Sequence, residues 1–255
     1  MTDVLQSADE SIVLPDGRRL AFAQSGAPDG QPVLAFHGLP GSRLQRHPDP
    51  AIARAAGVRL VHVDRPGFGR SDPRPGRTLA DWPGDVAALA DALGFSEFAL
   101  VGVSGGGPFA LACAAALGER VRRVALVSSV GPPEAMRRPR ALATPAGLAF
   151  ALALRAPWVL RGPLALGARV ARRRPRLALR AIAARAAPAD RAIIARPDVQ
   201  AMLAADLGEA FRQGAGAFAH EIALLARPWG VALATVRCPV AMWHGEDDRV
   251  VLPDA

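Results

Sequence analysis

Short runs rich in apolar residues are the first clear pattern in the chain. Four such runs occur in the first half, at residues 32–37, 59–64, 98–103 and 121–130. Together they are rich in Val, Leu and Ala, and short apolar runs of this kind are typical of strands that are buried on both faces. They therefore predict the central strands of a sheet that helices cover.

Helical and hairpin patterns accompany these strands. Apolar residues recur at the helical positions i, i+4, i+7 and i+11, namely Trp82, Val86, Leu89 and Leu93. Gly94 follows as the residue that ends this helix. Residues 12–14 and 20–24 flank the turn-forming pair Asp16-Gly17 and predict an opening hairpin. Strands that alternate with helices predict an α/β fold with a mostly parallel, doubly wound sheet.

The pattern changes after residue 130, where Ala, Leu, Arg and Pro dominate up to about residue 227. Pro188 and Pro197 stand where helices can begin and Gly214 where one can end, so this block predicts several short helices. Strand character returns at residues 236–243.

The strand at residues 98–103 runs directly into Gly102-Val103-Ser104-Gly105-Gly106, and an alanine-rich helical pattern follows. A Gly-x-Ser-x-Gly motif between strand and helix predicts a sharp turn that holds the serine in a strained backbone conformation. Gly102 and Gly106 leave the space that such a turn needs. A dinucleotide fingerprint does not fit here, because Ser104 stands where its second glycine belongs, and the sequence has no Walker lysine.

Four motifs follow one another along the chain. They are HGLPGS at 37–42, DRPGFGRS at 64–71, GVSGG at 102–106 and GEDD at 245–248. With this set the chain resembles the α/β-hydrolase family over roughly residues 12–130 and 214–253. The resemblance implies a hydrolase core of residues 1–130 and 214–255, with residues 131–213 as a helical cap inserted after the sixth strand.

The resemblance also implies roles for individual residues. Ser104 would be the nucleophile, and the backbone N–H groups of Leu39 and Gly105 would form the oxyanion hole. Asp248 is the expected acid, since it stands three residues after the glycine that ends the strand, and Asp247 remains the alternative. Asp64 is interpreted as a scaffold residue.

In the family, the catalytic residues follow one another along the chain as Ser, Asp and His. This sequence departs from that order, because no histidine comes after Asp248. The five histidines are His37, His47, His62, His220 and His244. We therefore expect a chain that stops before the family's eighth strand, last helix and catalytic histidine. Residues 240–243 would then form an exposed apolar edge, and the 255-residue chain would be inactive or impaired. A non-catalytic relative and a chain completed by a partner are the alternatives.

The composition limits the classes of partner that we expect for this chain. All 31 basic residues are Arg, and the net charge is +8, but the arginines are scattered and have no aromatic stacking face beside them, so nucleic acid is not an expected partner. Proline and arginine interrupt the apolar stretch at 141–171, which predicts no stable membrane insertion. The first ten residues carry no targeting pattern, and Cys113 and Cys238 resemble small buried thiols, so we expect a cytoplasmic protein. The sequence has no metal or cofactor motif.

The expected reaction is hydrolysis of a carboxylic ester, lactone or similar acyl substrate through an acyl-enzyme. Serine at the position of the nucleophile disfavours the haloalkane dehalogenase and epoxide hydrolase chemistries of the family. Perhydrolase and C–C hydrolase activities would use the same residues and stay open, as does the oligomeric state. The second hypothesis is a non-catalytic protein that binds a small apolar ligand under the cap.

Overall fold

A computed structural model describes residues 5–136, 139–142 and 144–253. Residues 1–4, which are part of the segment predicted to lack a targeting pattern, are outside this description. The described strands are β1 (Leu5–Val13), β2 (Arg19–Gly26), β3 (Gln31–Phe36), β4 (Val58–Val63), β5 (Phe98–Val103), β6 (Val121–Val127) and β7 (Val240–Trp243). They form one sheet in the order β1-β2-β4-β3-β5-β6-β7.

The sheet is mostly parallel, as the alternation of strands and helices predicts. The β1–β2 hairpin is antiparallel and β2 pairs antiparallel with β4, whereas β4, β3, β5, β6 and β7 all run in the same direction. The carboxyl ends of these parallel strands therefore meet at one edge of the sheet. Ligand sites of open α/β sheets lie at this edge.

Helices connect the strands and cover the sheet. The described helices are α1 (Ala51–Ala55), α2 (Trp82–Ala92), α3 (Gly107–Leu117), α4 (Pro133–Met136), α5 (Pro139–Leu142), α6 (Pro145–Arg155), α7 (Pro157–Arg173), α8 (Pro175–Ala183), α9 (Pro188–Ile194), α10 (Pro197–Ala210) and α11 (Gly216–Leu225). Helices α4 to α10 each begin with proline, whose missing amide hydrogen costs nothing at the first helical position. These helices occupy the segment that the sequence predicts as a cap.

Three predicted boundaries shift for physical reasons. The strand predicted to reach residue 130 ends at Val127, because Ser128 adopts a positive φ of 44°. The last strand begins at Val240 rather than 236, directly after Pro239, which has no amide hydrogen for the strand ladder. Helix α10 ends at Ala210, and Gly214, with φ 92°, lies in the turn before α11.

The two faces of β5 have different surroundings. Phe98 and Leu100 are buried on the face that α3 covers, with 2% and 1% of their surfaces exposed. Val101 and Val103 alternate with them and are half-buried on the other face. At the edge of the sheet, Trp243 of β7 is 59% exposed, so this strand is the exposed apolar edge that the sequence predicts. In the described part of the chain, no helix is long and apolar enough to cross a membrane.

Both ends of the cap segment are attached to loops of the core. At its start, the Val130 N–H donates to the Ser104 carbonyl oxygen at 3.1 Å. At its end, the Gln213 side-chain amide donates to the carbonyl oxygens of Gly69 at 3.0 Å and Ser71 at 2.8 Å. The predicted limits of the cap at residues 131 and 213 fall beside these attachment points and stay predictions.

Candidate active site

The turn after β5 places Ser104 in the left-handed region, with φ 50°. Non-glycine residues adopt this region at a cost of about 1–3 kcal/mol, so the surrounding structure must hold the serine there. A Cβ atom on Gly102 would lie 2.6 Å from the Gly107 Cα, and one on Gly106 would clash with the Phe36 carbonyl oxygen. Only glycine fits at these two positions, and the half-buried Ser104 side chain keeps access to solvent.

The loop after β3 lies against this turn. A Cβ atom on Gly38 would be 3.6 Å from the Ser104 Cβ, and one on Gly105 would be 3.5 Å from the Leu39 nitrogen. Among the described residues, no group hydrogen-bonds the Ser104 hydroxyl or the Leu39 N–H. The structure thus brings together three of the residues predicted for the site, and two of their polar groups are free to meet a ligand.

His37 is the histidine that precedes this loop, and both of its ring nitrogens are occupied. Its Nε2 accepts the Arg65 backbone N–H at 3.3 Å, so the proton must be on Nδ1, which donates to the Gly38 carbonyl oxygen at 2.8 Å. Burial, and secondarily the charge of Arg65, hold the pKa of His37 well below its usual range. His37 is therefore a neutral structural residue rather than a base.

A buried cluster of charges lies beneath the same loop. Glu221 of α11 accepts two hydrogen bonds from Arg65, from Nε at 2.8 Å and Nη2 at 2.7 Å, and a third from Nη2 of Arg77 at 2.5 Å. The side chains of Arg65 and Glu221 are fully buried, and that of Arg77 is 3% exposed. Burial alone would raise the pKa of Glu221, but the two guanidinium groups lower it to about 2. The cluster stays charged at all moderate pH values.

The cap contacts the loop through a second buried acid. Asp206 of α10 accepts hydrogen bonds from the backbone N–H and the hydroxyl of Ser42, both at 2.7 Å. Its carboxyl group is completely buried, which raises its pKa to about 7. The neighbouring Arg43 donates to Asp64 at 2.8 Å and to Glu209 at 2.7 Å. These bonds agree with the interpretation of Asp64 as a scaffold residue.

The predicted acid lies on the turn after β7. One oxygen of Asp248 accepts the N–H groups of Val250 at 2.8 Å and Val251 at 3.0 Å, and the other is 3.4 Å from Nε2 of His244. Asp247 is exposed. Because β6 separates β5 from β7, the ends of these two strands are about 10 Å apart. Among the described residues, Asp248 and Ser104 share no hydrogen bond, and the distance between the two strand ends exceeds the length of one.

The other histidines have partners of their own. His47 bonds the backbone of Asp49, and His220 bonds the carbonyl oxygen of Arg77 at 2.9 Å. His62 lies 3.4 Å from the Ser25 hydroxyl, and burial lowers its pKa to about 4. His244 bonds the Val251 carbonyl oxygen at 2.8 Å. Within the described ranges, no histidine is placed as a base for Ser104.

Sequence reasoning found the loops of the site but missed the charges that hold them. The motif at residues 64–71 contains Arg65, and Glu221 lies beside His220 on a predicted helix, yet nothing in their spacing pairs them. The one available signal is a pair of charged residues inside otherwise apolar or turn-forming segments, because such residues are seldom fully buried without a partner. The described residues contain no cluster of three or more side chains suited to a metal ion.

A family model described as the alpha/beta hydrolase fold matches residues 31–160, from β3 through the serine turn into α7. The chain belongs to the α/β-hydrolase family. This match covers the loop after β3 and the turn at Ser104 that it lies against.

Individual α/β-hydrolase relatives agree with this assignment. A non-heme chloroperoxidase of Streptomyces lividans is 36% identical over 124 residues, which are 48% of this chain and 45% of the relative. A proline iminopeptidase of Xylella fastidiosa is 36% identical over 110 residues, which are 40% and 34% of the two chains. The chain thus spans less than half the length of these curated relatives. The crystal structure of an esterase from Rhodococcus sp. ECU1013 is 26% identical with a TM-score of 0.58, covering 99% of this chain and 83% of that one.

Proposed function

We propose that this α/β-hydrolase is a serine hydrolase that cleaves a carboxylic ester, lactone or similar acyl substrate through an acyl-enzyme. The observation that carries the proposal is the strained turn at Ser104, φ 50°, which lies beside the loop of Gly38 and Leu39. A backbone strain of this kind persists only where the surrounding structure maintains it, and it is concentrated at functional sites.

The proposed reaction begins when Ser104 Oγ attacks the carbonyl carbon of the substrate. The carbonyl oxygen becomes an anion, and the N–H groups of Leu39 and Gly105 donate hydrogen bonds to it. The tetrahedral intermediate then expels the alcohol, which takes the proton that the serine lost. Water attacks the acyl-enzyme in the second half of the reaction and releases the acid.

Asp248 is the acid that we propose for this reaction. Its carboxylate is half-buried and fixed by the N–H groups of Val250 and Val251, whereas Asp247 is exposed. The separation of about 10 Å between the ends of β5 and β7 leaves room for one imidazole ring between serine and acid. An acid in this position would orient the base and stabilise its charged form.

We propose further that none of the five histidines serves as the base, because each of them has other partners. Without a base, the oxyanion donors would still support a small part of the rate, about 10³–10⁴-fold over water. We expect the 255-residue chain to be nearly inactive on simple esters.

The likeness to known proteins supports acyl chemistry. The esterase structure from Rhodococcus matches almost the whole chain, and the iminopeptidase of Xylella fastidiosa is 36% identical over 110 residues. The chloroperoxidase similarity keeps a perhydrolase reaction as a variant that would use the same serine. The apolar residues of the cap favour a substrate with an apolar acyl or alcohol part.

Ser104 should be identifiable by covalent labelling with a fluorophosphonate probe. Alkaline buffer and prolonged incubation would compensate for the missing base, and peptide mapping should place the label on Ser104. Ser104→Ala should abolish labelling. Ser128→Ala is the matched control, since Ser128 also has a positive φ, 44°, at the end of the next strand. A label on another residue, or a label that persists in Ser104→Ala, would refute the proposal.

A second candidate, a non-catalytic protein that binds an apolar ligand, is favoured by the lack of a described histidine beside Ser104. The two candidates separate when a C-terminal segment from a related hydrolase, with its histidine, is appended. A serine hydrolase should gain turnover of p-nitrophenyl esters, and the same segment carrying His→Ala should not. Binding of ligand without turnover in both forms would support the second candidate.

A further inference from the structure

The peptide bond between Gly38 and Leu39 supplies one of the two proposed oxyanion donors, so its orientation matters. In a trans peptide the C=O and the N–H point in opposite directions. The Gly38 carbonyl oxygen accepts hydrogen bonds from His37 Nδ1 at 2.8 Å and from Arg65 Nη2 at 3.2 Å. With its oxygen fixed on the Arg65 side, this peptide directs the Leu39 N–H away from Arg65. Gly105 packs closely against Leu39 beside that nitrogen.

Arg65 is placed to hold the loop rigidly. Its Nη1 donates to the His37 carbonyl oxygen at 2.5 Å, in addition to the Nη2 bond to Gly38, so one guanidinium fixes two successive peptides. Its Nε and Nη2 donate to the two oxygens of Glu221, a bidentate pair that determines the plane of the guanidinium. The Arg65 Cζ also lies 4.6 Å from the centre of the Phe109 ring.

A buried ion pair is weak grounds for stability, because removing two charges from water costs about as much as their attraction returns. The cluster therefore calls for another explanation, and its contacts supply one. Its hydrogen bonds to the main chain go to the loop carbonyls of residues 37 and 38 and to the Pro66 carbonyl oxygen.

We propose that Arg65 is the positioning residue of the oxyanion hole, which directs the Leu39 N–H toward the reacting oxygen. Glu221 holds the Arg65 guanidinium in place, and Arg77 balances the remaining negative charge of Glu221. This inference rests on the proposed function. It assigns the first helix after the cap, α11, a direct part in shaping the site.

The test uses the 255-residue chain labelled with ¹⁵N and modified at Ser104 by a fluorophosphonate, whose phosphoryl oxygen occupies the oxyanion position. In the wild-type adduct, the amide protons of Leu39 and Gly105 should both shift downfield relative to the free protein. In Arg65→Lys, the Leu39 shift should disappear while the Gly105 shift remains. The rate of labelling should fall about 10²–10³-fold, the usual cost of losing one oxyanion donor.

Arg43→Lys is the matched control, because Arg43 is a buried arginine, 2% exposed, whose side chain donates to the carboxylates of Asp64 and Glu209. It should retain both shifts and a labelling rate within a few-fold of wild type. If Arg65→Lys does not fold, Glu221→Gln takes its place and should weaken the Leu39 shift more than the Gly105 shift. In either case, the absence of a downfield Leu39 shift in the labelled wild type overturns the positioning role.

The outcomes separate the two proposals. If Ser104 is not labelled in the wild type, the proposed function fails, and the role of Arg65 fails with it. If Ser104 is labelled but Leu39 shows no downfield shift, or if Arg65→Lys keeps both the shift and the rate, the positioning role of Arg65 is overturned while the serine hydrolase stands.

Discussion

Two sides of the candidate site differ in how the chain supports them. The serine side comprises residues 36–42, 64–71, 102–107 and Glu221, and its loops are held by buried hydrogen bonds and ion pairs from distant parts of the chain. The β7 side comprises residues 240–251, and its predicted acid is held by bonds within its own turn. The comparison teaches that buried long-range bonds hold the loops around Ser104, whereas the turn that carries Asp248 depends on short-range bonds.

The largest expected effect tests whether the β7 side takes part in the chemistry at all. In a chain extended with a histidine-bearing segment, Asp248→Asn should lower kcat on p-nitrophenyl esters about 10⁴-fold, because the base loses the acid that orients it. Asp247→Asn is the control and should change kcat far less. The reverse ranking would identify Asp247 as the acid.

The serine side should prove far more sensitive to the loss of a single charge. Glu221→Ala leaves Arg65 and Arg77 buried without their carboxylate, which should cost about 3–5 kcal/mol in the free energy of unfolding. Asp247→Ala on the exposed turn should stay within about 0.5 kcal/mol. Urea unfolding of both variants measures the difference, and equal losses would contradict the comparison.

Glycines on the two sides should also respond unequally. Gly106→Ala forces a methyl group against the Phe36 carbonyl oxygen and should cost about 1–3 kcal/mol, whereas Gly245 has open space around it and no positive φ. Gly245→Ala should therefore change the midpoint of unfolding very little. A Gly106→Ala variant as stable as wild type would show that the serine turn is looser than its contacts indicate.

A pH-dependent effect is expected at Asp206, a buried carboxyl group that accepts two hydrogen bonds from Ser42. The pKa of Asp206 in the folded protein is about 7, above the unfolded value of about 3.9. Its contribution to stability is thus complete below about pH 3.9 and is lost as pH rises toward 7. Asp206→Asn should remove this dependence, so its stability relative to wild type should be higher at pH 8 than at pH 5. Parallel stability curves would exclude titration of Asp206 in this range.

The smallest effect on stability is expected at the exposed edge. Met242 is 68% exposed, so Met242→Lys should change the free energy of unfolding by no more than about 0.5 kcal/mol. It should nevertheless reduce self-association, because a charge on an unpaired apolar edge strand opposes pairing with another chain. Light scattering after size-exclusion chromatography measures this, with Val13→Lys, at a position 76% exposed in β1, as the control. If the wild type aggregates and Met242→Lys elutes in the same way, the β7 edge is excluded as the cause of self-association.

The sequence pattern predicted most of the sheet because buried parallel strands and their helices leave a local signal. The runs at residues 32–37, 59–64 and 98–103 correspond closely to β3, β4 and β5. The glycine motif likewise predicted the turn at Ser104, since close backbone contacts there exclude a side chain. These features depend on near neighbours in the chain.

The support of the site could not be predicted in the same way. Arg65 and Glu221 are 156 residues apart in sequence, and their pairing depends on how α11 lies against the loop after β4. The same holds for Ser42 and Asp206, which are 164 residues apart. A single sequence contains no periodicity that relates such positions, whereas the folded chain brings them within hydrogen-bond distance.

The attachment of both ends of the cap to core loops has a consequence for how this chain can acquire new substrates. The Val130 N–H is bound to the Ser104 carbonyl oxygen, and Gln213 is bound to Gly69 and Ser71, so the backbone around the site is fixed at the two points where the cap departs and returns. The helices between these points form one continuous stretch of gene. Recombination could replace that stretch with another without changing the conformation of the turn at Ser104. Substrate range and chemical mechanism would then evolve as separately inherited parts.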